Sequence, residues 1–352
     1  MSDKTIQNAT VGTVQPGALT AIARKEDFLQ HLQDFLDTHK TEKWCVAAID
    51  VEHFRLYNEL YGTEQGNALL NTLASHLLDY QKTSGRPVGY WGNDDFFLCL
   101  PDDAAREVVP LLRPDVRVLD TSTAHRTAPG WCYGFPELSP VQEARLRQAK
   151  RIAVPGCHAS GFIALVYPLV SAGLLTPDAL LSCYSLTGYS GGGKKMIAEY
   201  RAPERSPLLN APRQYALGQT HKHLKEMKAV TGLASEPVFC PVVADFYSGM
   251  QVTVPLFAGW LKPGAGMEEV KNAYKALYTG PVVSYTDAAD EGGFLSAAAQ
   301  SGLDSMKITV AGNEQRMLLL AVYDNLGKGA SGAAVECMNL VTGAEKTLGL
   351  EL

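Results

Sequence analysis

The chain has 352 residues, of which 46% are hydrophobic and 19% charged, and it carries a net charge of −6 at pH 7. This length and composition indicate two or three folded domains with substantial hydrophobic cores. The acidic balance, without a long run of lysine or arginine, argues against nucleic acid and against an anionic membrane surface as partners.

Seven cysteines are scattered along the chain, and none belongs to a Cys-x-x-Cys pair. This usage predicts free thiols in a reducing cytoplasm and argues against a zinc site. The first residues lack the basic, apolar and small-residue sections of a signal peptide, and no stretch approaches eighteen uninterrupted apolar residues. We therefore expect a soluble, cytoplasmic protein with a flexible segment at residues 1–16.

The first hundred residues alternate between helical and extended patterns. Apolar spacing predicts helices over 28–36 and 66–80, and residues 44–50 predict a buried strand that ends in an acid. Two apolar runs, 87–91 and 96–100, flank a polar turn and predict a hairpin. The predicted order is helix, strand, helix, hairpin.

Residues 17–103 resemble the first half of a GGDEF (diguanylate cyclase) domain. The resemblance rests on residues 18–24 (Ala-Leu-Thr-Ala-Ile-Ala-Arg), on 50–59 and on the signature turn 92–96 (Gly-Asn-Asp-Asp-Phe). The signature is degenerate, because Asn93 replaces a glycine and Asp95 a glutamate, and the guanine-contacting aspartate of the family is replaced by Asn67. The second half of that family's domain is missing.

Asp50 and Asp94 are candidate ligands for a divalent metal, since carboxylate oxygens suit magnesium. We favour the alternative that both are solvated turn carboxylates on a non-catalytic module. The sequence therefore predicts no metal site.

Beyond Pro101 strands and helices alternate. The patterns predict a strand over 116–120, helices over 159–172 and 267–277, and extended chain over 252–257. We expect the strand at 116–120 to complete the sheet that the earlier strands begin.

A cysteine stands where a loop turns into an apolar helix, in residues 155–160 (Pro-Gly-Cys-His-Ala-Ser). At a helix N-terminus the free backbone N–H groups and the macrodipole favour a thiolate, so Cys157 is the candidate nucleophile. His221 and His223 are the candidate bases. An inert buried cysteine is the alternative, and alkylation by iodoacetamide well below the pH that ordinary cysteines need is expected of the nucleophile.

Residues 99–352 resemble N-acetyl-γ-glutamyl-phosphate reductase, in its shorter bacterial type. Separate segments carry the resemblance: Asp120–Arg126, Pro155–Cys157, Gly188–Lys194, His221–His223 and Asp324–Ala330. The resemblance implies NADPH-dependent reduction of N-acetyl-γ-glutamyl phosphate to N-acetylglutamate 5-semialdehyde and phosphate, in arginine biosynthesis, through a thioester. It also implies a homo-oligomer and a small-molecule substrate.

The resemblance assigns roles residue by residue. Cys157 matches the nucleophile, and His223 is our choice for the acid/base, with His221 as the substitute. Ser122, Arg126 and Lys194 are expected to bind the anionic substrate. The cofactor is expected to contact Gly191, Gly192, Gly193 and Asn325.

The implied fold is α/β, with an N-terminal lobe of mixed origin and a catalytic α+β domain with a mixed sheet, as in semialdehyde and glyceraldehyde-phosphate dehydrogenases. We expect a half GGDEF domain (17–103), the remainder of the N-terminal lobe (104–154), a catalytic and dimerisation domain (155–310) and a C-terminal segment that returns to the lobe (311–352).

The chain differs from the reductases at its N-terminus. There the GGDEF-like segment takes the place of the Rossmann unit and its glycine-rich turn. The only glycines before Gly62 are Gly12 and Gly17, which do not form that turn. We expect weak NADPH affinity from this loss. The alternative function is an inactive or regulatory chimeric protein.

Overall fold

The computed structural model describes residues 17–38, 44–49, 54–92, 94–101, 105–106, 109–111 and 117–352. The chain divides into two compact units, residues 1–108 and residues 109–352. All of the predicted substrate-site and cofactor-site residues belong to the second unit.

The first unit is a four-stranded sheet with helices. Its elements are α1 (Ala18–Ala21), β1 (Ala23–Arg24), α2 (Lys25–Thr38), β2 (Trp44–Ile49), α3 (Phe54–Tyr61), α4 (Thr63–Ser84), β3 (Val88–Gly92) and β4 (Asp95–Pro101). The strand order is β1-β3-β4-β2, and the predicted hairpin is the antiparallel pair β3–β4. Both predicted helices and the predicted strand are present.

The core of this unit forms where α4 lies on the sheet. Leu70, Ala74 and Leu77 are buried at helical spacing and pack with Val88 and Phe96 of the hairpin. This amphipathic spacing is the reason that the sequence predicts the helix correctly.

The second unit begins with a small parallel sheet, β5 (Val118–Asp120), β6 (Cys132–Tyr133) and β7 (Arg151–Ala153), in the order β5-β7-β6. Our expectation that strand 116–120 completes the first sheet was wrong. The strand pairs in parallel with β7 instead, and the helix α5 (Pro140–Gln148) lies in the long connection between the two strands, as parallel pairing requires.

A seven-stranded mixed sheet dominates the second unit, in the order β12-β13-β14-β11-β8-β10-β9. Its strands are β8 (Ser182–Gly188), β9 (Arg213–Gln214), β10 (Val238–Ala244), β11 (Met250–Phe257), β12 (Val283–Tyr285), β13 (Met306–Asn313) and β14 (Arg316–Tyr323). The remaining helices are α6 (Cys157–Ser171), α7 (Gly193–Arg201), α8 (His223–Thr231), α9 (Met267–Leu277) and α10 (Gly332–Thr342).

Helix α6 is buried between β11 and β14 on one side and α8 on the other. It is apolar on all sides, which is typical of a helix in the centre of a core. The burial of α6 therefore brings its first residue, Cys157, to the start of α8.

The C-terminal helix α10 packs on α5 and the small parallel sheet. Cys337 and Leu340 of α10 share a hydrophobic cluster with Cys132, Leu146 and Ile152. This packing places helix α10 beside the segment that precedes Cys157.

The N-terminus of α5 is closed by a side-chain cap. Ser139 Oγ accepts a hydrogen bond from Gln142 N at 3.0 Å, and Pro140 occupies the first helical position. Ser139→Ala is expected to lower the free energy of unfolding of this unit by about 1 kcal/mol. Urea unfolding, followed by hydrogen exchange of the α5 amides, measures the change. Ser139→Asp retains the cap and is expected to match the parent, and a loss as large as that of alanine would contradict the cap's contribution.

Candidate active site

Cys157 is the first residue of α6, and its side chain is half-buried. Tyr323 of β14 fixes the first turn of the helix: its hydroxyl donates to the Cys157 carbonyl at 2.6 Å and accepts from Gly161 N at 3.1 Å. The cysteine therefore lies at a helix N-terminus that is held in place by the large sheet, as the sequence predicts.

Gly156 lies at the point where two functional side chains meet. A Cβ atom added to Gly156 would lie 2.3 Å from Arg126 Nη1 and 2.3 Å from His223 Nε2. Its backbone is extended, with φ −79° and ψ 144°, so the glycine is required by space and not by conformation. Arg126 and His223 therefore converge on the residue immediately before Cys157, the predicted nucleophile.

A buried carboxylate, Glu226, organises this convergence. Its Oε1 accepts hydrogen bonds from Gly156 N at 2.8 Å and from Tyr133 Oη at 2.7 Å, and its Oε2 accepts from Arg126 Nη1 at 3.1 Å. Sequence reasoning gave Glu226 and Tyr133 no role. The available signal was spacing, because an acid three residues after His223 lies on the same face of α8.

Arg126 is tied to the protein by three groups. It donates through Nε to Val154 O at 3.0 Å, through Nη2 to Thr121 O at 3.1 Å, and through Nη1 to Glu226. A guanidinium has five N–H donors, so two remain for an anion. Its substrate-binding role stays a prediction.

The two predicted bases lie side by side, with ring centroids 4.7 Å apart. His223 is the first residue of α8, and His221 lies just before the helix. His223 is buried and its Nδ1 has no hydrogen-bond partner among the described residues. Burial, with a smaller contribution from His158, holds the pKa of His223 well below its usual value. His223 is therefore neutral at pH 7 and able to accept a proton.

We expected the helix N-terminus to lower the pKa of the Cys157 thiol and favour the thiolate, but the pKa is raised instead. Burial raises the pKa of the Cys157 thiol, and the nearby positive charge of Arg126 offsets this only in part. Sequence shows the helix N-terminus but not the burial that opposes it. The thiol is therefore protonated at neutral pH, and its activation requires a base.

The alkylation rate of Cys157 by iodoacetamide is expected to rise with pH through a midpoint above that of an ordinary cysteine, about 8.5. The direction follows from the raised thiol pKa, because only the thiolate reacts. Mass spectrometry of the Cys157 peptide across pH gives the midpoint. Cys157→Ala identifies the background from the other thiols, and a midpoint well below that of ordinary cysteines would contradict the burial argument.

Ser122 lies in the loop after β5. Its hydroxyl donates to Asp120 Oδ2 at 3.0 Å and accepts from Ala124 N at 3.1 Å. Asp120 Oδ2 is also 2.7 Å from His125 Nδ1. Ser122 therefore closes the loop that presents Arg126, and its contact with substrate stays a prediction.

The predicted cofactor residues lie together at the end of β8. The Cβ position of Gly191 is 3.4 Å from Asn325 Nδ2. Asn325 Nδ2 donates a hydrogen bond to Ser190 Oγ, and Asn325 Oδ1 accepts one from Gly249 N, each at 2.9 Å. Gly192 precedes α7. Gly193, with φ +72° and open space around its Cβ position, begins that helix, and Lys194 follows it.

The GGDEF-like segment offers no metal centre in the part of the chain that the structure describes. Asp94 lies in the turn between β3 and β4, and Asp50 lies outside the described residues. Within the same described ranges, no helix is long and apolar enough to cross a membrane.

Two family models match the chain. Residues 157–325 match the semialdehyde dehydrogenase dimerisation domain, and residues 17–132 match the diguanylate cyclase GGDEF domain. The second match extends beyond residue 103, where we predicted that the resemblance ends.

Similar proteins agree with the first match. N-acetyl-gamma-glutamyl-phosphate reductase of Trichormus variabilis is 42% identical over an alignment of 270 positions, which covers 73% of this chain and 84% of that protein. The protein of the same name from Sinorhizobium fredii is 41% identical over 72% of this chain and 84% of its own length. Aspartate semialdehyde dehydrogenase II from Vibrio cholerae shares the fold, with a TM-score of 0.53 at 19% identity over 69% of this chain and 77% of that structure.

Proposed function

Because this chain belongs to the N-acetyl-γ-glutamyl-phosphate reductase family, we propose that Cys157, His223 and the buried Arg126–Glu226 pair form its catalytic centre. The activity is the NADPH-dependent reduction of N-acetyl-γ-glutamyl phosphate to N-acetylglutamate 5-semialdehyde and phosphate, in arginine biosynthesis. The observation that carries the proposal is the convergence of Arg126 and His223 on Gly156, next to the nucleophile.

The acylation step follows from this geometry. The sulfur of Cys157 attacks the acyl carbon, and the thiol proton passes to neutral His223. The carbonyl electron pair moves to the oxygen and returns as the C–O bond to phosphate breaks, so phosphate leaves and a thioester remains. The free N–H groups at the start of α6 are suited to hold the transient oxyanion. If His223 serves only to position His221, then His221 is the base.

Substrate anions require donors near the thiol. Two N–H groups of Arg126 remain for a phosphate or carboxylate oxygen, and the hydroxyl of Ser122 must turn from Asp120 before it donates to substrate. Lys194 at the start of α7 is the third proposed contact. Glu226 balances the charge of Arg126 and keeps its guanidinium in one orientation.

The residues present fit one end of NADPH. Gly193, whose Cβ position is open, and Asn325, which lies 3.4 Å from the Cβ position of Gly191, are the residues that would contact the nicotinamide end, and NADPH would supply the hydride there. Its pyrophosphate has no matching seat in the described part of residues 1–108. There β1 runs directly into α2, and residues 1–108 contain no Gly-x-Gly-x-x-Gly motif.

We also propose a homo-oligomer that assembles through the large sheet. Tyr184, Phe257 and Leu318 are exposed and belong to three neighbouring strands of that sheet, and the dimerisation-domain match spans all three. The free thiols remain consistent with a cytoplasmic protein.

Phosphate-dependent reduction of NADP by N-acetylglutamate 5-semialdehyde tests the proposal. Turnover that disappears in Cys157→Ala and falls strongly in His223→Gln supports it. Turnover that survives in Cys157→Ala would overturn it. Because the described part of residues 1–108 offers no seat for the pyrophosphate, we expect half-saturation by NADPH well above the micromolar range.

A further inference from the structure

A chain of hydrogen bonds runs behind the nucleophile through three residues that the acylation step above does not use. His158, the residue after Cys157, is buried, with Nδ1 2.7 Å from Ser185 Oγ and Nε2 2.6 Å from Tyr215 Oη. The His158 ring lies 5.6 Å from that of His223 and 5.8 Å from that of His221, between ring centroids. The chain Ser185–His158–Tyr215 therefore belongs to the same cluster as the proposed base.

The tautomer of His158 follows from the burial of Ser185. The hydroxyl of Ser185 is fully buried, and among the described residues His158 Nδ1 is its one hydrogen-bond partner. If Nδ1 carried the proton, the serine proton would have no acceptor, at a cost of about 1–3 kcal/mol. Nδ1 therefore accepts from Ser185, and the ring proton is on Nε2.

A charged His158 is excluded by its surroundings. Burial, together with His221 and Lys222, lowers the pKa of His158 to about 3. The ring is therefore neutral at pH 7, and its single N–H donates to the oxygen of Tyr215.

The orientation of the Tyr215 hydroxyl follows from this donation. Its oxygen accepts from His158, so its own proton points away from that ring and is left for another acceptor. The backbone fixes the residue, because Tyr215 N donates to Pro241 O at 3.0 Å and Ala216 adopts a left-handed φ of 53°. The result is a hydroxyl donor with a fixed backbone in the cluster of His158, His221 and His223.

We propose that Tyr215 is a catalytic residue whose hydroxyl donates a hydrogen bond to the acyl oxygen of the substrate while Cys157 attacks, and that Ser185 and His158 hold it in this donor orientation. The inference rests on the proposed function and extends its oxyanion site beyond the backbone amides of α6. Burial and the nearby Cys157 raise the pKa of Tyr215, so the hydroxyl keeps its proton while the oxyanion forms.

Two reactions of the same thiol separate this role from simple positioning. Acylation of Cys157 by p-nitrophenyl acetate passes through an oxyanion, whereas alkylation by iodoacetamide does not. In Tyr215→Phe the acylation rate is expected to fall about 10²-fold, as when an oxyanion donor is removed, and the alkylation rate to stay within about twofold of the parent. Tyr285→Phe, which removes a hydroxyl bonded to the exposed Asp287, is the matched control.

The outcomes distinguish the two proposals. Unchanged acylation in Tyr215→Phe, or a parallel loss of acylation and alkylation, would overturn the donor role while the nucleophile stands. Acylation that is unchanged in Cys157→Ala would overturn the proposed function and, with it, the role of Tyr215.

The tautomer of His158 can be tested without an activity assay. Nitrogen-15 spectra of the His158 ring in the full chain are expected to show a protonated Nε2 and an unprotonated Nδ1. The reverse tautomer would overturn the proposal, because Tyr215 would then donate to His158. Ser185→Ala removes the hydroxyl that selects the tautomer, and we expect it to slow acylation less than Tyr215→Phe does.

Discussion

Gly156→Ala is expected to reduce acylation of Cys157 at least 10²-fold while the protein remains folded. The backbone of Gly156 accepts alanine without strain, but the new Cβ would lie 2.3 Å from both Arg126 Nη1 and His223 Nε2. Because His223 is buried and Arg126 is held by hydrogen bonds to Val154, Thr121 and Glu226, both side chains must move, and the base then loses its position relative to the thiol. A misplacement of about 1 Å is enough for a loss of this size.

The acylation rate with p-nitrophenyl acetate and the alkylation rate with iodoacetamide measure this effect. Gly280→Ala is the matched control, since a Cβ at Gly280 meets nothing within 4 Å. Full acylation activity in Gly156→Ala would show that His223 does not act from the position described.

Arg126→Met is expected to lower the free energy of unfolding of the second unit by about 3–5 kcal/mol. The substitution leaves the Glu226 carboxylate buried, with hydrogen bonds from Gly156 and Tyr133 but no counter-charge. Removing one partner of a buried ion pair has a cost of this size. Substrate acylation is also expected to be lost, because the same contacts hold the end of β7 and the start of α6.

The double variant Arg126→Met/Glu226→Gln separates charge from packing. A neutral glutamine still accepts hydrogen bonds from Gly156 N and Tyr133 Oη, so the double variant is expected to unfold at higher urea than Arg126→Met. Hydrogen exchange of β14 amides in urea reports the unfolding of this unit. A double variant that is less stable than Arg126→Met would contradict the account of Glu226 as a charge held by Arg126.

The sequence was sufficient for most of the elements and for the position of Cys157 at the start of a helix. Apolar spacing predicts α4 and α9 because each helix buries one stripe of side chains, and Cys157 is visible because a Pro-Gly pair precedes an apolar helix. The prediction for strand 116–120 failed because local pattern does not reveal which strand it pairs with.

The contacts that organise the site were not visible in the sequence. Glu226 meets Gly156 across 70 residues and Arg126 across 100 residues, and only the packing of α8 against α6 brings them together. The same packing buries Cys157 and reverses the expected direction of its pKa. The donor orientation of Tyr215 likewise depends on Ser185 of β8, which contacts His158 of α6.

The most direct test of the central claim is a phosphate burst from N-acetyl-γ-glutamyl phosphate in the absence of NADPH. If Cys157 is the nucleophile of a catalytic centre held in residues 109–352, each chain releases about one phosphate. Mass spectrometry then finds the acyl group on the Cys157 peptide, and Cys157→Ala shows neither signal. A chain that releases no phosphate, or that releases it equally in Cys157→Ala, would contradict the account and favour an inactive or regulatory chimeric protein.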